Sequence, residues 1–173
     1  MDRHDLARFE RDALPHLDAA YTLARYLLRD EHDADDVVQE AYLRALRYFE
    51  TFRGGDMRAW LLTIVRRTAF TWLGRRRDER RREASEPLES VPLDARDPEA
   101  EMLRGALHDA LHEAIRRLPP EFREVVILRD VQGLSYAEIA EIVGIPKGTV
   151  MSRLARARQR LQRALPVEDY GRS

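Results

Sequence analysis

A run of six basic residues near one end of the chain provides its strongest chemical signal. Between positions 147 and 163 stand Lys147, Arg153, Arg156, Arg158, Arg160 and Arg163, and this stretch contains no acidic residue. Ammonium and guanidinium groups bind phosphates, and arginine also pairs with the edge of guanine. The small or polar residues Gly148, Thr149 and Ser152 begin the segment, where a helix has to enter a DNA groove closely. We therefore predict that this segment contacts duplex DNA.

The preceding residues predict a helix-turn-helix that would position the basic segment. Ser135 and Glu138 form the sequence pattern of a capping box. Gly144 can end the first helix in the left-handed conformation, and Pro146 suits the first turn of the second helix. Four apolar residues of the second helix recur at helical spacing and are expected to be buried: Val150, Leu154, Ala157 and Leu161. A plain helical hairpin with a solvated arginine face is the alternative interpretation.

A second candidate nucleic-acid surface lies in the middle of the chain. Residues 66–82 contain eight arginines and only two acids. Six aromatic residues precede or overlap this segment: Tyr48, Phe49, Phe52, Trp60, Phe70 and Trp72. Aromatic rings interleaved with arginines are what stacking on unpaired bases requires. A helix buried between other helices is the alternative for most of these rings, so we expect only a minority to face nucleic acid.

The helix predicted over residues 34–49 presents a mixed outer face. Its core stripe comprises Val38, Tyr42, Ala45 and Phe49, and its outer face comprises Asp36, Gln39, Glu40, Leu43, Arg44 and Arg47. Leu43 is an apolar side chain among charges of both signs, which is typical of an interface anchor. A single exposed leucine is also ordinary on a protein surface. The residues alone therefore leave a partner surface and a plain solvated face both open.

Because no segment alternates apolar and polar residues as a strand would, we predict an all-α fold of two small helical domains joined by an acidic flexible linker. Residues 83–100 carry three prolines, many acids and no helical period, which is typical of an exposed linker. The domains are predicted over residues 1–82 and 101–173, and the second contains the helix-turn-helix. Predicted helices cover roughly residues 6–16, 19–28, 34–49, 57–77, 102–117 and 122–131. A linker of this length could reach about 60 Å when stretched, which would let the domains occupy separate sites.

Composition also limits the possible functions. The chain has 173 residues, 44% of them hydrophobic, a net charge of −1 and no cysteine, so disulfides and thiolate metal sites are excluded. No apolar run approaches the roughly 18 residues needed to cross a membrane, and the charged N-terminus does not have the form of a secretory signal. We therefore expect a cytoplasmic protein without membrane insertion.

Catalysis and metal binding have little support in the sequence. His108 and His112 stand four residues apart on a predicted helix, a spacing that can hold a metal. A third ligand is not evident, and a solvated helix face is the simpler interpretation. Serine, histidine and acidic residues form no motif of nucleophilic catalysis. We predict no catalytic residue, no metal and no cofactor.

Three segments carry a resemblance to a known family: DADDVVQEAYLRALRYFETFR, MRAWLLTIVRRTAFTWLGRRR and LPPEFREVVILRDVQGLSYAEIAEIVGIPKGTVMSRLARARQRL. In this order, over residues 6–165, the chain resembles a bacterial sigma factor of the extracytoplasmic-function group. The resemblance implies a first domain, region 2, that binds RNA polymerase and opens the −10 promoter element. It implies a second domain, region 4, that recognises the −35 element as duplex. Departures from the family pattern at Arg67, Thr71 and Met151 leave the promoter sequences open.

The same resemblance implies roles for individual residues. Contacts with core polymerase fall on Asp36, Gln39, Glu40, Leu43, Arg44 and Arg47. Contacts with −10 DNA fall on Phe52, Arg53, Arg66, Arg67, Phe70, Arg75, Arg76 and Arg77. Contacts with −35 DNA fall on Arg129, Lys147, Thr149, Ser152, Arg153, Arg156 and Arg163.

The implied partners are core RNA polymerase, through its β′ clamp helices and β flap, promoter DNA and an anti-sigma factor. A polymerase-bound chain would associate with the nucleoid. Two alternative functions are a stand-alone helix-turn-helix transcriptional regulator and a sigma mimic that titrates an anti-sigma factor.

Overall fold

In the computed structural model, which describes residues 2–83 and 102–165, every regular element is helical. The helices are α1 Arg3–Ala13, α2 Leu17–Leu28, α3 Glu31–Arg47, α4 Met57–Arg82, α5 Met102–Arg117, α6 Pro120–Val126, α7 Tyr136–Val143 and α8 Lys147–Ala164. Two 3-10 turns, Leu14–His16 and Phe49–Thr51, follow α1 and α3, and a π-helical segment, Ile127–Val131, continues α6. None of these helices has the combination of length and hydropathy that a membrane span requires. The predicted linker, apart from Glu83, lies outside the described residues.

Short polar side chains set where the first long helices begin. Asp2, Asp30 and Asp56 are the N-cap residues of α1, α3 and α4, and each carboxylate accepts a hydrogen bond from a backbone N–H three residues later, at 2.8, 2.9 and 3.2 Å. These bonds satisfy donors that have no partner inside the helix. Gly54 and Gly55 adopt φ values of 87° and 98° in the turn before α4. The starts of α1, α3 and α4 are therefore each set by a single aspartate.

Helix α4 ends later than the sequence analysis predicts, at Arg82 instead of Arg77. Residues 78–82 contain neither glycine nor proline, so nothing in them stops the helix. The last turn carries three arginines, which interact favourably with the negative end of the helix dipole. The extension carries the arginine-rich surface a full turn further from the core.

The helix-turn-helix forms as predicted. The Ser135 hydroxyl accepts from the backbone N–H of Glu138 at 3.1 Å, and the Glu138 carboxylate accepts from the backbone N–H of Ser135 at 2.7 Å. Gly144 ends α7 with φ 75°. Pro146 is the N-cap residue of α8 and not part of its first turn, which is one position earlier than predicted. The apolar stripe of α8 is buried at all four predicted positions, Val150, Leu154, Ala157 and Leu161.

Helices α1–α4 form an N-terminal unit, and α5–α8 form a C-terminal unit. In the N-terminal unit α2, α3 and α4 pack against one another, and α1 closes a smaller cluster in which the rings of Phe9 and Phe49 meet edge-on at 5.3 Å. Of the core stripe predicted for α3, Val38 and Ala45 are buried and Tyr42 is half-buried. The fourth member, Phe49, is buried in the 3-10 turn after the helix. In the C-terminal unit α6 and α7 pack against α8.

The two units are packed together through one continuous apolar cluster. Leu27 of α2 and Val65 of α4 belong to the same buried cluster as Val126 of α6 and Ile142 of α7. The sequence predicts two domains that could separate, and the structure brings them into contact. Two helical domains are therefore present, but in this conformation they share a core.

The capping box yields a prediction about stability. Ser135→Ala should lower the free energy of unfolding by about 0.5–2 kcal/mol, because a backbone N–H at the start of α7 loses its acceptor. Urea unfolding of the full chain followed by circular dichroism measures the change. Ser152→Ala is the matched control, since the Ser152 hydroxyl only donates to a carbonyl inside α8. Equal effects of the two substitutions would argue against a stabilising cap.

Candidate nucleic-acid and partner surfaces

The outer face of α3 is exposed as the sequence predicts. Leu43 has 67% of its surface exposed, although Val38 and Ala45 on the opposite side of the same helix are buried. Around it, Asp36, Gln39 and Arg47 are exposed, and Glu40 and Arg44, which form an ion pair, are half-buried. Tyr48, directly after the helix, is a second exposed large side chain in this region, with 54% of its surface exposed. Leu43, Leu46, Arg47 and Glu50 line a shallow hollow at its edge.

Three aromatic rings, two before α4 and one in its first turn, pack in sequence. The ring of Phe52 lies 6.3 Å from that of Phe49 and 5.2 Å from that of Trp60. Phe49 is buried, whereas Phe52 and Trp60 keep part of their surface in solvent. Arg53 follows in the exposed loop. Most of these rings therefore serve the core, as expected, and Phe52 supports the base of a loop that presents Arg53.

The arginines of α4 divide into free and paired groups. Arg67, Arg75 and Arg77 are exposed, and the described part of the chain gives their guanidinium groups no partner. Arg76 donates to Asp33 of α3 at 2.6 Å. Arg66 donates to Glu124 of α6 and lies over the ring of Phe70, 4.7 Å from its centre. Of the five predicted −10 arginines on α4, three thus face solvent and two are held by carboxylates.

Helix α8 presents a small and basic face opposite its apolar stripe. Lys147, Ser152, Arg156 and Arg163 are exposed, whereas Thr149 and Arg153 are half-buried. Gly148 and Ala155 leave the same face free of bulk near the helix start. A helix of this shape can enter the major groove with its N-terminal residues at the base edges. Arg158 is held by Asp130 at 2.8 Å, which ties α8 to the segment after α6.

Arg129 is a structural residue as well as a candidate contact. It lies in the π-helical segment, where the wide turn is closed by a hydrogen bond of 3.0 Å from the backbone N–H of Gln132 to the carbonyl of Ile127. The Arg129 guanidinium donates to the carbonyl of Leu134 at 2.8 Å and lies 4.6 Å from the ring centre of Tyr136. Arg129 therefore joins the π-helical segment to the start of α7.

Two buried charges were missed by the sequence analysis. Arg123 is 3% exposed and Glu124 is 1% exposed, although their neighbours Phe122, Val125 and Val126 are apolar and buried. The Arg123 guanidinium donates to the carbonyls of Tyr26 and Leu27 at 2.6 and 3.1 Å, and burial lowers its pKa to about 10. Burial raises the pKa of the Glu124 carboxyl, and the hydrogen bonds from Arg66 act against that rise. The signal was an Arg-Glu pair inside the run EFREVVIL, which a solvated helix face would not place among so many apolar residues.

The histidine pair of α5 belongs to the contact between the units. The Nε2 atoms of His108 and His112 are 2.8 Å apart, and the ring of His112 stacks on that of Tyr26 with 5.4 Å between centres. Burial lowers the pKa of His112. Within residues 2–83 and 102–165, histidine, aspartate and glutamate form no group of three that could hold a metal. His112 therefore packs α5 against Tyr26 of α2, and His108 contacts His112.

Comparison with known proteins identifies two conserved modules in this chain. Residues 14–81 match Sigma-70 region 2, and residues 108–161 match Sigma-70, region 4. The ECF RNA polymerase sigma factor SigE of Mycolicibacterium smegmatis is 39% identical over 148 residues, which cover 85% of this chain and 57% of that relative. The ECF RNA polymerase sigma-E factor of Haemophilus influenzae is 37% identical over 148 residues, which cover 81% of this chain and 77% of that relative.

A solved structure shares the arrangement of both helical units. The sigma factor RpoE from Bartonella quintana, in a co-crystal with the anti-sigma factor NepR, matches with a TM-score of 0.79. It is 30% identical, and the match covers 93% of this chain and 98% of that chain. The similarity in fold thus extends across the N-terminal and C-terminal units together.

The two contacts of Arg129 predict a cost in stability that an exposed arginine of α8 should not show. Arg129→Ala should lower the free energy of unfolding by about 1–2 kcal/mol, because a charged hydrogen bond and a cation–π contact are lost. Arg156→Ala, the control, should stay within about 0.5 kcal/mol of the unsubstituted chain. Urea unfolding measures both. Equal stability of the two variants would show that Arg129 has no structural role.

Proposed function

The chain belongs to the extracytoplasmic-function group of RNA polymerase sigma factors, and on that premise we propose that it directs core polymerase to specific promoters. The observation that carries the proposal is the exposed small and basic face of α8, in one chain with an exposed apolar anchor on α3. The first surface suits duplex DNA, and the second suits a protein partner. A protein that brings polymerase to a promoter needs both.

Helix α8 is the proposed reader of the −35 element. Arg156 stands on the exposed face one turn after Ser152, where it can reach a guanine edge when the helix start lies in the major groove. Arg163, near the end of the helix, is placed for a phosphate. Lys147, Thr149, Arg153 and Arg129 complete the proposed −35 surface.

The N-terminal unit is the proposed −10 surface. Exposed Arg67, Arg75 and Arg77 would follow the phosphates of a single strand, and Arg53 would lie at the loop before α4. Phe52 and Phe70 offer partly exposed rings for stacking. Arg66 and Arg76 join this surface only when their carboxylate partners release them.

The outer face of α3 is the proposed contact with the β′ clamp helices of core polymerase, through Asp36, Gln39, Glu40, Leu43, Arg44 and Arg47. Residues 1–82 would then act as region 2, residues 83–100 as the linker, and residues 101–173 as region 4, which would also meet the β flap. An anti-sigma factor is a further proposed partner, since the similar RpoE chain was solved with one. The proposed site of action is the cytoplasm, at the nucleoid when polymerase is bound, and the role is binding without a chemical step of its own.

The two alternative functions each leave one surface unexplained. A stand-alone helix-turn-helix regulator would use α8 but would have no use for the exposed Leu43 patch. A sigma mimic that titrates an anti-sigma factor would have no use for an exposed face with Lys147, Ser152 and Arg156. The proposed sigma function uses both surfaces.

Reconstitution with core polymerase tests the function, and Leu43→Glu tests the assigned interface. The purified chain should give promoter-dependent transcription from genomic fragments, and Leu43→Glu should abolish this activity and polymerase pull-down. Desolvating an unpaired polar group costs roughly 2–7 kcal/mol, which is at least a tenfold loss of affinity. The melting temperature should not change, because Leu43 is 67% exposed.

Leu14→Glu is the matched control for Leu43→Glu, since Leu14 is a 51% exposed leucine outside α3. It should keep polymerase binding. Pull-down of polymerase by Leu43→Glu at the unsubstituted level would refute the assigned interface. A large fall in melting temperature would instead place Leu43 in the core.

We predict that two arginines of α8 make different kinds of contact with a promoter identified in that experiment, Arg156 with a base and Arg163 with a phosphate. Arg156→Ala should cost about 1–3 kcal/mol on the best site and relax specificity at one base pair. Arg163→Ala should weaken all sequences alike and reduce the salt slope of binding by about one unit. Fluorescence anisotropy over single-base variants of the promoter, at several salt concentrations, measures both. The same profile for both variants would contradict this division of roles.

A further inference from the structure

Arg66 and Glu124 form the most buried ion pair of the described residues, and it joins the two units. Arg66 Nε donates to one carboxylate oxygen of Glu124 at 2.6 Å, and Arg66 Nη2 donates to the other at 3.1 Å. The arginine side chain is 21% exposed and the glutamate side chain is 1% exposed. Arginine binds a phosphate with the same geometry, through two parallel hydrogen bonds to two anionic oxygens. The carboxylate of α6 thus occupies the donors that Arg66 would offer to nucleic acid.

Further hydrogen bonds fix the C-terminal unit in this place. Arg123 donates to the carbonyls of Tyr26 and Leu27 at the end of α2, where the helix dipole favours a cation. The Gln132 side chain donates to the carbonyl of Ala19 at 2.9 Å. These bonds reach main-chain acceptors at defined positions along α2. The contact is therefore specific in register, unlike a general collapse of apolar surfaces.

We propose that the free chain holds itself closed, with Glu124 acting as an internal substitute for a DNA phosphate on Arg66. In the closed state the C-terminal unit covers Arg66, which also lies over the ring of Phe70, and the −10 surface is incomplete. Separation of the units releases Arg66 and completes that surface. The inference rests on the proposed −10 role of Arg66. It adds that the chain inhibits its own binding of −10 DNA.

The physical balance of this contact suits a switch. A buried ion pair gains little net free energy, because the desolvation of both charges offsets their attraction. Burial raises the pKa of Glu124 even with Arg66 bound, so the pair does not fully compensate for the loss of water. Closure is then favoured mainly by the shared apolar cluster and can be reversed by a partner that binds the open state better. A single substitution at the pair should shift this balance measurably.

A distance measurement on the free chain tests closure directly. The chain has no cysteine, so Ala7→Cys and Gln162→Cys, both at exposed positions in different units, provide unique sites for a fluorescent pair. The labelled chain that keeps Arg66 and Glu124 should show a single population with high energy transfer between the two dyes. Glu124→Gln should shift a large part of the molecules to low transfer, and Glu121→Gln, an exposed glutamate on the same helix, should not.

Binding of a labelled, mixed-sequence single-stranded DNA of about 20 nucleotides tests the consequence. Glu124→Gln should raise the affinity of the free chain about fivefold or more, the lower end of typical coupling between sites. Glu121→Gln should leave it unchanged. Transcription with saturating core polymerase should be the same for Glu124→Gln and the unsubstituted chain. In both chains the bound polymerase already holds the two units apart.

A charge exchange separates closure from loss of folding. The double variant Arg66→Glu/Glu124→Arg should restore the high-transfer population that either single exchange removes, and it should still bind single-stranded DNA weakly. A free chain that shows low transfer without substitution, or unchanged DNA affinity in Glu124→Gln, would overturn the proposal. If Arg66→Gln lowers transfer but not DNA binding by holoenzyme, closure stands and the −10 role of Arg66 falls.

Discussion

A carboxylate that is taken out of water has to be matched by a cation, and this requirement at Glu124 governs how the two units meet. Arg66 of α4 provides the match through both oxygens. The preceding residue, Arg123, has the reverse requirement and meets it with carbonyls at the end of α2. Because the two side chains are neighbours on α6, they fix α2 and α4 at once. These connections, with the bond from Gln132 to the carbonyl of Ala19, fix the orientation of the C-terminal unit on the shared apolar cluster.

The same division between matched and unmatched arginines organises the C-terminal unit. Arg129 and Arg158 are held by the carbonyl of Leu134 and the carboxylate of Asp130, and they join α8 and α7 to the π-helical segment. Arg156 and Arg163 remain exposed on the same unit. A reading helix has to be rigid before its free side chains can discriminate between bases. The paired arginines therefore provide the rigidity on which the proposed specificity of the free ones depends.

Features that depend on neighbours within one or two turns were predictable from the sequence. The capping box at Ser135, the left-handed Gly144 and the two faces of α3 around Leu43 all follow from residue types at short spacing. The burial of Arg123 and Glu124 was not predictable, because their partners lie 97 and 58 positions away in the chain. Helical periodicity identifies which side of α4 is apolar, but it does not say which of its arginines will find a carboxylate on another unit. The candidate site could therefore be located from the sequence, but not divided into free and paired residues.

The proposed polymerase face and the closed contact use different sides of the N-terminal unit. Leu43 is exposed in the same conformation in which Arg66 is covered. The proposed polymerase contact on α3 would therefore not compete for the surface that α6 occupies. Helix α3 packs on both α2 and α4, the two helices to which the C-terminal unit is bonded. In this arrangement a protein partner can bind the closed chain. The two units then separate once the partner and DNA bind the C-terminal unit more favourably than α2 and α4 do.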